Sequence, residues 1–193
     1  AWGKTLNSGQ TCIAPDYILI HKDVKEEFVK AFASEVSNLH GKDIQADRHY
    51  VRMVNDKAFE RVTGYFKDGD IIYGGRHDAA TRFIEPTLIE NVPLDSPLMT
   101  EEIFGPVFPI ITLDDTGNTF CYKVIEFITS REKPLAFYYF GKESDGWEII
   151  RRTSSGGGCI NDVIMHIANE HAPFGGVGNS GMGRYHDKDS FDA

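Results

Sequence analysis

Short apolar runs alternate along this chain with longer stretches whose apolar residues recur every three to four positions. Residues 16–21 (DYILIH), 107–113 (VFPIITL) and 135–140 (LAFYYF) are of the first kind. Val24, Phe28, Phe32, Val36 and Leu39 are of the second, as are Val51, Val54, Ala58, Val62 and Phe66. A short apolar run bounded by polar residues reads as a buried strand, and the longer repeat as a helix with one buried face. Strands buried on both faces need helices to cover them. The alternation therefore predicts an α/β layer fold with much of its sheet parallel.

Finer signals refine this plan. Residues 1–8 read as the last turns of a helix whose beginning is absent, with Gly9 as its stop. Asp23 and Glu26 have capping-box spacing ahead of the first amphipathic helix. Residues 71–73 read as a short strand ending in Gly74-Gly75, and FIEPTLIENVP as extended chain broken by Pro86 and Pro93. Pro109 lacks an N–H and pushes its strand toward a sheet edge or a bend. Residues 118–131 and 144–153 read as helices, 159–164 (CINDVI) as a further extended piece, and the chain from Ala172 as glycine-rich. With 193 residues, no repeat and no linker, the chain reads as one domain over 1–193.

Composition narrows the partners. The net charge is -9 and no basic run exceeds Arg151-Arg152, which disfavours nucleic acid and anionic membranes. No apolar stretch approaches the ~20 residues that span a bilayer, and residues 1–20 do not read as a secretory signal, so none is expected. Cys12, Cys121 and Cys159 are too few and scattered for a disulfide framework. A reducing compartment and a cytoplasmic location are expected. The histidines show no H-x-x-x-H pair and the cysteines no C-x-x-C, so no metal is expected and the histidines read as structural or surface groups.

Three stretches carry candidate chemistry. Cys12 follows the small, polar run Asn7-Ser8-Gly9-Gln10-Thr11. It reads either as a buried core cysteine or as a nucleophile presented where a helix end meets a strand. An unperturbed thiol is only ~3% thiolate at pH 7, so surroundings that favour the thiolate bring a gain of roughly 15-fold. In TEEIFGPVFPI, adjacent carboxylates, Phe104 and a Gly-Pro turn read either as a solvated acidic turn with an aromatic core plug or as a ligand clamp. In the clamp, a glutamate accepts hydrogen bonds from ribose hydroxyls and the aromatic packs on a flat ring. In HAPFGGVGNSGMG, Gly176, Gly178 and Gly181 spell G-x-G-x-x-G. They follow no strand and have too little chain after them for a βαβ unit, so they read as tight turns.

Taken together, these stretches closely resemble aldehyde dehydrogenases, over essentially the whole chain and in order: NSGQTCIAPDYILI, FIEPTLIENV, EEIFGPVFPI, PLAFYYF and SSGGGCINDVIMHIANEHAPFGGVGNSGMGRYH. GQTC and EEIFGP are highly specific as a pair. The wording of GQTCIAPDY and NDVIMH is most like the class 3, fatty-aldehyde branch. The resemblance implies the three-layer catalytic domain of that fold, a largely parallel sheet flanked by helices. It puts Cys12 on the family's catalytic cysteine, Glu102 and Phe104 on its nicotinamide-ribose and nicotinamide contacts, and Trp2 and Ile167 on the wall of its aldehyde tunnel. It implies NAD or NADP as cofactor, a small-molecule aldehyde as substrate and a homodimer for the full-length enzyme. The implied reaction is attack by the Cys12 thiolate, loss of hydride to give a thioester, and release of the carboxylic acid by water.

The resemblance also implies what to expect of these 193 residues by themselves. The family's general-base glutamate, its oxyanion-holding asparagine and its dinucleotide fold all precede the cysteine. The chain is therefore expected to be the catalytic domain alone, to bind NAD(P) weakly and to be inactive in isolation. A folded non-catalytic fragment and a CoA-acylating relative are the alternatives within the family. A papain-like cysteine protease built on Cys12, His166 or His171, and Asn179 fits loosely and leaves EEIFGP unexplained.

Overall fold

The structure, a computed structural model, describes residues 1–114, 119–186, 188 and 190. Two compact units make it up, Ala1–Asp114 and Asp115–Ala193.

In the first unit the chain runs through α1 (Trp2–Thr5), a tight turn (Leu6–Gly9), β1 (Ile18–His21), α2 (Lys25–His40) and α3 (Asp56–Gly64). There follow β2 (Asp70–Tyr73), β3 (His77–Asp78), β4 (Phe83–Ile84), β5 (Thr87–Glu90), α4 (Pro97–Thr100) and β6 (Val107–Leu113). Four strands form one sheet in the order β1-β6-β5-β2. β6 runs parallel to both neighbours, with Ile110 opposite Ile18 and Val107 opposite Thr87, and β2 closes one edge antiparallel to β5. β3 and β4 make a separate antiparallel pair.

The core explains why these segments order. Phe32 and Val36 of α2 lie against Ile20, Leu88, Phe108 and Ile110 of the sheet. The Phe32 ring meets Tyr73 and Phe108 edge-on, at 5.6 and 5.8 Å between centroids. Each such side chain contributes about 1.5–3 kcal/mol on burial. The apolar period of α2 is thus a real buried stripe, although its ends, Val24 and Leu39, stay exposed.

The second unit contains α5 (Phe120–Thr129), β7 (Ala136–Tyr139), α6 (Glu143–Arg152) and β8 (Gly157–Ile160). β7 and β8 are parallel and joined through α6, a βαβ crossover. Fold class is therefore α/β with mostly parallel strands, as the alternation predicts.

Several local expectations are corrected. Pro109 sits in a central strand, not at an edge: it ends the β5 ladder just where the β1 ladder begins, at Ile110. Its missing N–H falls at that handover. The Asp23/Glu26 capping box does not form; the His21 Nδ1 accepts the Asp23 N–H instead, at 3.2 Å. α3 begins only after Asn55, whose side chain caps the Ala58 N–H at 2.8 Å, so Val51 and Val54 precede the helix and are exposed. β7 is half-buried throughout and Phe140 is exposed. The extended piece from Cys159 stops at Ile160. The predicted start of α5, Asn118, lies outside the described residues. G-x-G-x-x-G opens no α-helix: a three-residue turn covers Gly178–Ser180, and Gly176 lies against the backbone of Ser180.

Candidate active site

The approach to Cys12 is a left-handed turn locked by side chains. Asn7, Ser8 and Gly9 have φ of 51°, 52° and 69°, a region only glycine enters freely. Hydrogen bonds hold the two non-glycine residues there. Ser8 donates its hydroxyl to the Val51 carbonyl, and Asn7 Nδ2 donates to the Gln10 carbonyl at 3.0 Å. Buried Gln10 reaches in three directions. Its Nε2 donates to the carbonyls of Asn7 and Arg52, at 3.0 and 3.2 Å, and its Oε1 accepts the Val54 N–H at 2.9 Å. Val51 and Val54 are therefore the irregular chain on which this loop docks. Cys12 follows in a turn closed by the Ala14 N–H on the Thr11 carbonyl, 3.1 Å. Ile13 is buried while Cys12 is exposed, so the turn anchors one neighbour and presents the thiol.

Glu102 and Phe104 stand on a second loop, after α4. Ile103 is a buried plug between them, and both flanking residues are exposed. Phe104 has φ 44°, a strained value for a bulky residue. Arg61 of α3 maintains it: Nη1 donates to the Glu102 carbonyl at 3.0 Å and Nη2 to the Ile103 carbonyl at 2.8 Å. The same guanidinium donates to the Tyr65 hydroxyl at 2.6 Å, which donates in turn to Glu101 Oε2 at 2.8 Å. Burial, and then the bond to Glu101, raise the Tyr65 phenol above its ordinary pKa and keep it a donor. Motif reading missed Arg61 and Tyr65. A rigid planar fork on two consecutive carbonyls is a task lysine cannot perform.

The two loops meet backbone to backbone. A Cβ on Gly9 would stand 2.4 Å from the Gly105 carbonyl oxygen, and one on Gly105 would stand 2.8 Å from the Val62 side chain. Gly105 is thus sandwiched between α3 and the loop that leads to Cys12. An exposed thiol, an exposed carboxylate and an exposed aromatic ring consequently rise from adjoining loops of one unit. An aromatic ring and a carboxylate acceptor two residues apart on one loop could hold the flat base and the ribose of a nicotinamide.

The remaining candidates are placed as follows. Trp2 lies on α1 of the same unit and is 43% exposed. Ile167 belongs to the turn Met165–Ala168 of the second unit and is half-buried. Its neighbour His166 is engaged within that unit, with Nδ1 3.7 Å from the Cys159 sulfur and its ring beside Tyr138 and Phe174. Burial pushes the Cys159 thiol up and the His166 imidazole down, so neither ionises readily and the pair is not an activated dyad. His171 is exposed, with its N–H on Asn169 Oδ1 at 3.1 Å.

Comparison with known proteins bears on the chain as a whole. The sequence model of the aldehyde dehydrogenase family matches residues 1–193. The rat protein named aldehyde dehydrogenase, dimeric NADP-preferring, is 46% identical over all of this chain and 42% of its own length. Mouse aldehyde dehydrogenase family 3 member A2 is 45% identical over all of this chain and 39% of its own. A solved structure described as the substrate-bound state of Staphylococcus aureus AldH superposes with a TM-score of 0.92 at 45% identity, over 99% of this chain and 41% of that one. The chain thus spans about two fifths of the length of these relatives, and its similarity is to the family 3 branch.

Proposed function

Since the chain belongs to the aldehyde dehydrogenase family, we propose that it carries the nucleophile and the nicotinamide-end contacts of an aldehyde-oxidising site. Cys12 attacks the aldehyde carbon as its thiolate. A sulfur–carbon bond forms and the carbonyl π pair moves to oxygen, where the Cys12 backbone N–H helps hold the developing charge. A nicotinamide, when bound, would supply the hydride acceptor for oxidation of the Cys12 adduct to a thioester. Glu102 would accept hydrogen bonds from its ribose hydroxyls and the Phe104 ring would pack on its flat base, while Arg61 fixes the backbone beneath both. Water then takes the acyl group and Cys12 regains its proton.

One observation carries this reading: the contact of Gly9 with Gly105, which sets the Cys12 loop against the Glu102–Phe104 loop. Both proposed cofactor contacts serve the nicotinamide end, which NAD and NADP share, so the site described accepts either. The rat relative's name supports NADP as one cofactor and a dimeric assembly. For the 193 residues by themselves, the proposed activity is acylation of Cys12 followed by slow release of the acyl group. The test is p-nitrophenyl acetate with peptide mapping. An acetyl group on Cys12, absent in Cys12→Ala, is the expected result. Acetylation confined to other residues would refute the assignment.

A further inference from the structure

Lys4 is a charged side chain inside the fold. It is 1% exposed, and its partners lie at both ends of the segment that carries Cys12. Its stem runs along Gly9, where an added Cβ would stand 3.2 Å from Lys4 Cδ. Its ammonium donates to the Pro15 carbonyl at 2.7 Å and sits 4.7 Å from the centre of the Phe108 ring, on strand β6. Gly9 and Pro15 bracket Cys12 by three residues on each side. One side chain therefore spans the nucleophile's loop and ties it to the central strand.

A lysine is a poor choice for packing alone. Dehydrating an ammonium is costly, and the ring face and one carbonyl offset only part of that cost. Burial pulls Lys4 down to about 8, even with the Asp16 carboxylate favouring its charge. A buried group that opposes folding and closes the loop around an exposed thiol is better explained by what it does for the thiol.

We propose that Lys4 is a positioning residue for Cys12: by clasping Gly9 and Pro15 it holds the sulfur and the Cys12 backbone N–H in the relative orientation that a carbonyl substrate needs. This rests on the reading of Cys12 as nucleophile. It assigns Lys4 no contact with substrate and no proton transfer. Alkylation needs only an accessible sulfur. Acyl transfer also needs the carbonyl oriented between sulfur and N–H, so loosening the clasp harms acyl transfer selectively.

The experiment compares two reactions of the 193-residue protein and its Lys4→Met variant at neutral pH. In one, p-nitrophenyl acetate transfers its acetyl group to Cys12: the sulfur–carbon bond forms, the ester carbon–oxygen bond breaks and p-nitrophenolate leaves. In the other, iodoacetamide alkylates Cys12, with Cys121 and Cys159 mapped alongside. Acylation should fall about 10- to 100-fold in Lys4→Met, with alkylation of all three cysteines unchanged, and Lys4→Arg should recover part of the loss. If Lys4→Met does not fold, Lys4→Gln is measured in its place. Unchanged acylation in a folded variant overturns the proposal, and so does an equal fall in both reactions. Failure of the unsubstituted protein to acylate at Cys12 overturns instead the nucleophile assignment beneath it, and this proposal falls with it.

Discussion

Gly9 presses against the Gly105 carbonyl so closely that a single added carbon would stand 2.4 Å from its oxygen. Gly41 is a reference in open space: its φ of 78° with ψ -179° is a conformation almost confined to glycine, and nothing lies within 4 Å of its Cβ position. Gly41→Ala should destabilise the protein by about 1–3 kcal/mol, the backbone strain alone. Gly9→Ala should destabilise it more, because two backbones must part, and should slow acylation of Cys12. Urea denaturation of both variants checks the order. Equal losses would mean that the Gly9–Gly105 contact yields without consequence.

Arg61 is a test of the second loop. Arg61→Lys keeps the charge but cannot fork across the Glu102 and Ile103 carbonyls, which stand 3.0 and 2.8 Å from its two terminal nitrogens. Stability should fall by about 1–3 kcal/mol, the usual consequence of leaving such a group unsatisfied. Alkylation of Cys12 should not change, because the Cys12 turn is held by Gln10 and Ser8. Denaturation and peptide mapping of the same sample give both results.

Lys4 makes stability depend on alkaline pH in a stated direction. Burial lowers it from 10.5 to about 8, and Asp16 opposes the shift. Between those values the unfolded chain holds a proton that the folded chain does not, so stability rises with pH. The gain is complete above the unfolded value and lost as pH falls through the folded one. Its size is about 3 kcal/mol. Tyrosines also titrate in this range, so the quantity to measure is the difference between the protein and Lys4→Met. The stability of the protein minus that of Lys4→Met should rise from pH ~8 to ~10.5 and be flat below.

The candidate site was legible where its motifs are contiguous. GQTC and EEIFGP each fit within a few residues, so Cys12, Glu102 and Phe104 could be singled out as candidates, with their roles supplied by the family resemblance. The residues that hold them could not. Arg61 reaches carbonyls 41 and 42 positions away, and Gln10 reaches Arg52 and Val54 at similar range. On a sequence, Arg61 is one more charge on a helix, and Lys4 looks like a solvated lysine in a short one. Periodicity misled at Val51 and Val54, which repeat in phase with α3 but precede its Asn55 cap. Pro109 misled because a missing N–H says nothing about which ladder would have used it.

Relative reactivity of the three thiols bears most directly on the account. Cys12 is exposed on a turn, whereas Cys121 on α5 and Cys159 on β8 are half-buried, and burial raises the Cys159 thiol. Native protein is treated with limiting iodoacetamide, and the modified cysteines are identified by peptide mass. The account predicts that Cys12 is alkylated first and is the only cysteine modified at early times. Alkylation of Cys121 or Cys159 ahead of Cys12 would contradict it.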